Sequence, residues 1–251
     1  MAWAVLQTNS TAATATAGTS VSTSPVTANL SAGSTVIAAF AAAAATASNP
    51  TTPTATCGGT SMVHIADVTA SSGTGATVLV ALFALNTPAG QVGTKPAIVG
   101  GWTNTATASQ GILEVSGLAT GATLGTLVDG TPATKAQNTT GVTPATASAY
   151  TDTAVNEFTL FVYGDDGGPA TLGALSTGYT TSASNVSANS HADLGLGWKN
   201  SSNGAETASW ALSGTEPAWG TILVAFLLPA GPPVARPMLP VLQSVKRGAY
   251  Y

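Results

Sequence analysis

The groups in this chain best suited to acid–base or metal chemistry are two histidines, one cysteine and ten carboxylates. His64 alternates with Met62, Ala66 and Val68, a pattern that predicts a structural histidine on one face of a strand. His191 opens another strand, with Asp193 two residues on along the same face. A His-x-Asp pair is half of a zinc site, and no further His or Cys stands close by to complete three or four ligands. Asp165-Asp166-Gly167-Gly168 joins two acids to a glycine turn. Such a run can chelate Ca²⁺. The same residues also make a tight turn through their backbone freedom, and the turn is the reading adopted. Cation binding at Asp165 and Asp166 stays open at this point.

A glycosidase needs two carboxylates flanking a bond. Glu114, Glu157, Glu206 and Glu216 offer pairs, and nothing in their spacing singles one out. There is no Gly-x-Ser-x-Gly elbow and no Walker loop. Gly73-Thr-Gly-Ala-Thr lacks the third glycine and following helix of a dinucleotide loop, and reads as a turn. The residues therefore predict no catalytic site, no cofactor and no metal: the chain is read as a non-enzyme. Of five tryptophans, Trp198 shares a strand face with Ala192, Leu194 and Leu196 and is assigned to the core. Trp102 follows Gly100-Gly101, is expected to be more exposed, and is the candidate for stacking on a glycan.

The surroundings of these groups are unusual. Charged residues make up 6% of 251 residues, against roughly 25% in ordinary soluble proteins, while hydrophobic residues reach 44%. Ala, Thr, Ser and Gly fill the positions that Lys and Glu usually take. Disorder is excluded, because it goes with low hydrophobicity and high charge. The single Cys57 rules out an internal disulfide and mildly favours assembly in a reducing cytosol. The N-terminus lacks the basic stretch of a secretory signal. The apolar runs 36–45 and 222–228 are too short for a bilayer, which takes roughly 20 residues, so no membrane insertion is expected.

Runs rich in Val, Ile, Phe and Thr, divided by Gly, Ser, Asn and Pro, predict an all-β chain. Strands are expected near 20–30, 34–45, 62–68, 76–85, 96–102, 111–118, 156–163, 191–198, 206–212 and 220–228. In 156–163, Phe158, Leu160 and Val162 share one face, and Glu157, Thr159 and Phe161 the other. The run 38–45 is the best helix candidate because it is alanine-rich, but it has no cap or amphipathic stripe and is read as strand. The long Thr/Ala/Pro-rich region 121–153 is expected to hide one weak strand.

A boundary falls near residue 230. Five prolines within 229–240 cannot continue a sheet interior. Residues 1–230 hold ten acids and three bases, net −7; residues 231–251 hold three bases and no acid, net +3. The expected organisation is a body at 1–230 and a Pro-rich basic arm at 231–251. The arm's Arg236, Met238, Leu239, Leu242, Lys246, Arg247, Tyr250 and Tyr251 are the residues expected to dock on a partner. With an acidic body and only three cations in the arm, nucleic-acid binding is not expected.

Ile112-Leu-Glu-Val-Ser-Gly-Leu118, followed by a Thr/Ala-rich loop, resembles a jelly-roll-like β-sandwich module of bacteriophage minor tail and virion decoration proteins. Ala32–Phe40 resembles its early buried strand and Asn156–Tyr163 its central strand. Gly178-Tyr-Thr-Thr181, Trp210 and Ile222–Phe226 resemble its last third. The order of these segments, over about residues 15–228, carries the likeness, which is greatest to proteins of phages that infect actinobacteria. The resemblance implies an antiparallel jelly-roll-like sandwich in a virion assembled in the host cytoplasm. It also implies partners among other virion proteins, and copies of the chain itself are expected as partners because few charges protect its apolar faces and sheet edges. A minor tail or tail-tip component is the first expectation, a capsid decoration protein the second, and a module gripping host cell-wall glycan the third. The uncharged first quarter and the Pro-rich basic arm depart from the pattern. No catalytic residue is carried over. Glu114, a lone acid in an apolar strand, is expected to accept bonds from Ser or Thr hydroxyls or backbone amides.

Overall fold

In the computed structural model the described residues are 2–11, 18–23, 28–44, 49–72, 75–137, 150–167, 171–181 and 192–230. The alanine-rich run is a strand, β3 (Ser34–Ala44), and every one of its eleven residues is buried. Helix propensity loses here because both faces of the strand are needed for packing. Ile37, Ala39, Ala41 and Ala43 face one core, and Val36, Ala38, Phe40, Ala42 and Ala44 face another. A strand buried on both sides reads as a continuous apolar run rather than an alternating one.

β3 is central because of what flanks it. Four strands precede or follow it closely: β1 (Ala4–Thr11), β2 (Gly18–Thr23), β4 (Thr51–Cys57) and the two-residue β5 (Thr60–Ser61). β6 (Val63–Ser71) and β7 (Thr77–Asn86) pair antiparallel, and just beyond their paired ends Ser72 N donates to Ala76 O at 2.7 Å. β8 (Ile98–Ser116) is nineteen residues long. β3 pairs antiparallel with β7 on one side and with the second half of β8 on the other. β1 lies along the same half of β8, while β2 and β4 flank its first half.

The first half of β8 folds back over the central sheet. Thr23 pairs with Ile98, yet its N–H and hydroxyl both reach Gln110 Oε1, at 3.0 and 2.7 Å. A Cβ on Gly100 would sit 2.6 Å from the ring of Phe40, whose own strand partner is Gln110. Asn104, at φ 65°, lies in the bend, where the registers of β2 and β4 both slip. Two segments expected as separate strands, 96–102 and 111–118, are thus the ends of one bent strand.

A third layer covers the other face of the central sheet. It comprises β9 (Ala133–Gln137), β10 (Tyr150–Asp165), β12 (Thr180–Thr181), β13 (Leu194–Glu206) and β15 (Trp219–Phe226), in the order β12-β13-β10-β15-β9. Phe158, Leu160, Val162, Ile222 and Val224 close the core against Ile37, Val80 and Leu82. Its outer face, with Phe161, Tyr163 and Leu223, is covered by the short pair β11 (Leu172–Leu175) and β14 (Trp210–Leu212). The expected antiparallel β-sandwich is present, stacked four layers deep.

β9 is the weak strand anticipated within 121–153, and the described residues of that region also include a short helix, α1 (Leu124–Leu127). The segment 206–212 spans the end of β13 and the start of β14. No described helix is long and apolar enough to cross a membrane. After β15 the chain is held on both sides: Leu227 N donates to Leu127 O at 3.0 Å, and Ala119 N donates to Leu227 O at 2.7 Å. The arm, 231–251, lies outside the described residues.

Layers packed about 10 Å apart leave room only for small residues at the closest approaches. A Cβ on Gly164 of β10 would meet Val80 Cγ2 at 2.7 Å and Ala41 Cβ at 2.8 Å. Gly164→Ala therefore lowers stability by about 1–3 kcal/mol, read as a lower midpoint in urea unfolding; an unchanged midpoint would show that the layers can part.

Candidate functional site

Of the ten carboxylates, eight are buried: Glu114, Asp129, Asp152, Glu157, Asp165, Asp193, Glu206 and Glu216. In a chain with so few charges this is the feature that demands a chemical explanation. A buried carboxylate is tolerated only with donors, a cation or a proton, and the chain uses more than one of these solutions.

Glu114 takes the first. Ser31 N and Ser34 Oγ each donate to its Oε1 at 2.6 Å, and Gln7 Nε2 donates to Oε2. Burial alone would raise its pKa, but the bonds from Ser34, Gln7 and Ser31 hold it below the usual range. The hydroxyl and amide donors expected from sequence are the ones found, with Gln7 from β1 added. Glu206 takes the second: it pairs with Lys199 and accepts from Ser202 N at 2.9 Å and Ser202 Oγ at 2.7 Å. These bonds outweigh burial and lower its pKa too.

At the far end of β10 the solution differs. Tyr163 Oη donates to Asp165 Oδ2 at 2.6 Å, and Gly167 N and Asp193 N donate to Oδ1 at 2.8 and 3.3 Å. Burial, and then the nearby Asp193, push Asp165 well above the carboxylate range. Burial raises Asp166 as well. Asp165, Asp166 and Glu216 each bring one oxygen within 4.8 Å of the others. That spacing suits a hard cation, which takes six to eight oxygens at about 2.3–2.6 Å. Gly167, at φ 75°, makes the local bond to Asp165 that an Asp-Gly turn would use, and Gly168 lies outside the described residues. The three side chains offer too few oxygens for a cation without added ligands.

The other sequence candidates fall as follows. Trp102 is a correction: it is 6% exposed and packs on Phe40 with ring centroids 5.5 Å apart. The folded-back half of β8 turns it inward, so its ring face is not presented for glycan stacking. Trp198 lies in the core as expected. His64 is on the surface beside Phe83 and pairs with Asp67 at 2.9 Å. A register slip between His64 and Ala66 breaks the alternation on which its sequence reading relied. Cys57 is buried, which raises its thiol pKa to about 11 and keeps it unreactive. His191 and the docking residues Arg236, Met238, Leu239, Leu242, Lys246, Arg247, Tyr250 and Tyr251 lie outside the described residues.

Sequence reasoning missed the grouping of Asp129 and Asp152 with Glu157, and of Glu216 with Asp165 and Asp166. The available signal was an acid placed inside or beside an apolar run. No protein-family model, no curated protein and no solved structure matches the chain.

Glu114→Ala removes the acceptor shared by the buried Ser34 hydroxyl, the Ser31 amide and the Gln7 side chain and is expected to cost about 1–3 kcal/mol. Thermal unfolding of Glu114→Ala beside Glu114→Gln checks this, the glutamine retaining part of the network and most of the stability. Equal loss in the two would mean that the charge, rather than the acceptor geometry, is what matters.

Proposed function

We propose that the chain is a structural module of a virion, a minor tail or tail-tip component attached through residues 231–251, with capsid decoration as the alternative placement. The observation that carries a non-enzymatic reading is the burial of the carboxylates. Glu114, Asp152, Glu157, Asp165, Asp193, Glu206 and Glu216 are each at most 2% exposed. A general acid or nucleophile must touch its substrate; these groups touch their own fold.

The same arrangement leaves an outer surface of hydroxyls and methyls with little charge. Such a surface is poorly protected against self-association and suits a protein present in many fixed copies. The charge asymmetry between body and arm gives the attachment a direction, an apolar and basic strip against another virion subunit. With Trp102 inside, the glycan-gripping alternative loses the residue that motivated it.

Removal of residues 231–251 tests the proposal. The truncated body is expected to keep its thermal transition and to stop cosedimenting with particles. Retention on particles by the truncated chain would sink the arm as the attachment.

A further inference from the structure

The peptide bond between Asn49 and Pro50 lies just before β4, beside the bend of β8. Asn49 is exposed and Pro50 is buried. The main-chain carbonyl of Asn49 accepts from Asn104 Nδ2 at 2.8 Å. Its side-chain Oδ1 accepts from the buried Thr77 hydroxyl, also at 2.8 Å. Downstream, Thr51 pairs with Thr103, and Thr103 Oγ1 donates to Thr51 O at 3.1 Å. The bond is therefore held on both sides, by the two anchors of Asn49 before it and by strand pairing after it.

The residues that follow are strained. Thr52 has φ 53°, a left-handed conformation that a β-branched side chain rarely adopts. It also precedes Pro53, which further restricts the backbone of the residue before it. The register against β8 slips between Thr51 and Thr54. Strain of this kind persists only where the surrounding structure enforces it, and it gathers at functional segments.

The pairing of asparagine with proline narrows the chemistry. Ordinarily the N–H of the next residue attacks the asparagine side chain and deamidates it. Pro50 has no N–H, so that route is closed. What remains is attack by Asn49 Nδ2 on its own main-chain carbonyl carbon, which forms a five-membered imide and breaks the bond to Pro50. Asn104 donates to the carbonyl oxygen that gains negative charge in that step, the position of an oxyanion donor. Thr77 fixes the other end of the side-chain amide, so that Nδ2 is the end left to attack, and a donor on Oδ1 eases loss of the Nδ2 proton. Both partners of the reaction are thus held in place before it begins.

We propose that the chain cuts itself once, between Asn49 and Pro50, with Asn49 as the nucleophile and Asn104 as the oxyanion donor. The bond from Nδ2 to the carbonyl carbon forms as the bond from that carbon to the Pro50 nitrogen breaks. The proton lost from Nδ2 ends on the Pro50 nitrogen, which leaves as a secondary amine. Water then opens the imide at the new C-terminus, and the exposure of Asn49 admits it. The two pieces stay together, because β3 lies upstream of the cut and remains buried between β7 and β8. This is a single turnover on the chain's own backbone, so it is independent of the virion proposal and makes the protein no enzyme toward other molecules.

Incubation of the full chain for several days near neutral to mildly alkaline pH, followed by mass measurement under denaturing conditions, tests the proposal. Two pieces are expected, one ending at Asn49 and one starting at Pro50, which coelute in native size exclusion. The first piece should appear lighter by one water than simple hydrolysis would make it, until its imide opens. Asn104→Gly keeps the left-handed backbone at that position and is expected to slow the cut at least about tenfold. Asn49→Gln, whose ring would need six members, should abolish it. Pro50→Ala restores the N–H and should turn Asn49 into aspartate in place of cutting. A full chain that stays intact overturns the proposal, as does equal cutting in Asn104→Gly. Cutting no faster in the folded protein than in the same chain held unfolded in urea also overturns it, and that comparison needs no variant to fold.

Discussion

Burial of one sheet on both of its faces is the constraint from which most of this structure follows. Two-sided burial removes solvent from every side chain of β3, so no position in it can be polar except at its start, where Ser34 and Thr35 are bonded. It also sets a size limit. Layers meet at the distances that alanine and glycine permit, as at Gly164 against Ala41 and Gly100 against Phe40. The high alanine content is therefore a packing solution rather than a helix signal, and the bulk needed to fill the interior is concentrated in a few rings such as Phe40, Phe158 and Trp210.

A stack of this kind has little surface for its polar groups, and the acids are drawn inside with the strands that carry them. Each then depends on local chemistry: hydroxyl and amide donors at Glu114, a lysine at Glu206, and carboxyls held close together at Asp165 and Glu157. With charge removed from the outside, the sheet margins need another defence. Among the described residues, each of the two larger sheets has one margin that ends in a two-residue strand, β5 or β12, which offers almost no template for pairing with another chain.

The architecture was largely legible because alternation survives in the long strands. Phe158, Leu160 and Val162 face one core and Phe161 another, as period-two patterning dictates. It failed where a local irregularity changed phase. The bulge after His64 moved that side chain to the surface, and the bend near Asn104 joined two predicted strands while burying Trp102. β1 and β4 were missed because Thr, Asn and Pro in them mimic loop composition. For the acids, Glu114 was readable because its donors are local in kind, hydroxyls and amides that any such strand would supply. The other groups were not, since Asp129 meets Glu157, and Asp166 meets Glu216, only through the sheet topology.

The doubling-back of β8 has a kinetic consequence. Ala4 finds its partner at Ser116 and Thr23 finds its partner at Ile98. On the ribosome, the first strands must wait, unpaired and nearly uncharged, until a segment a hundred residues downstream has emerged. Pairings this distant make folding slow and the waiting chain prone to stick to its neighbours. Synthesis rate and chaperone supply, more than final stability, then govern how much of the protein reaches its native form.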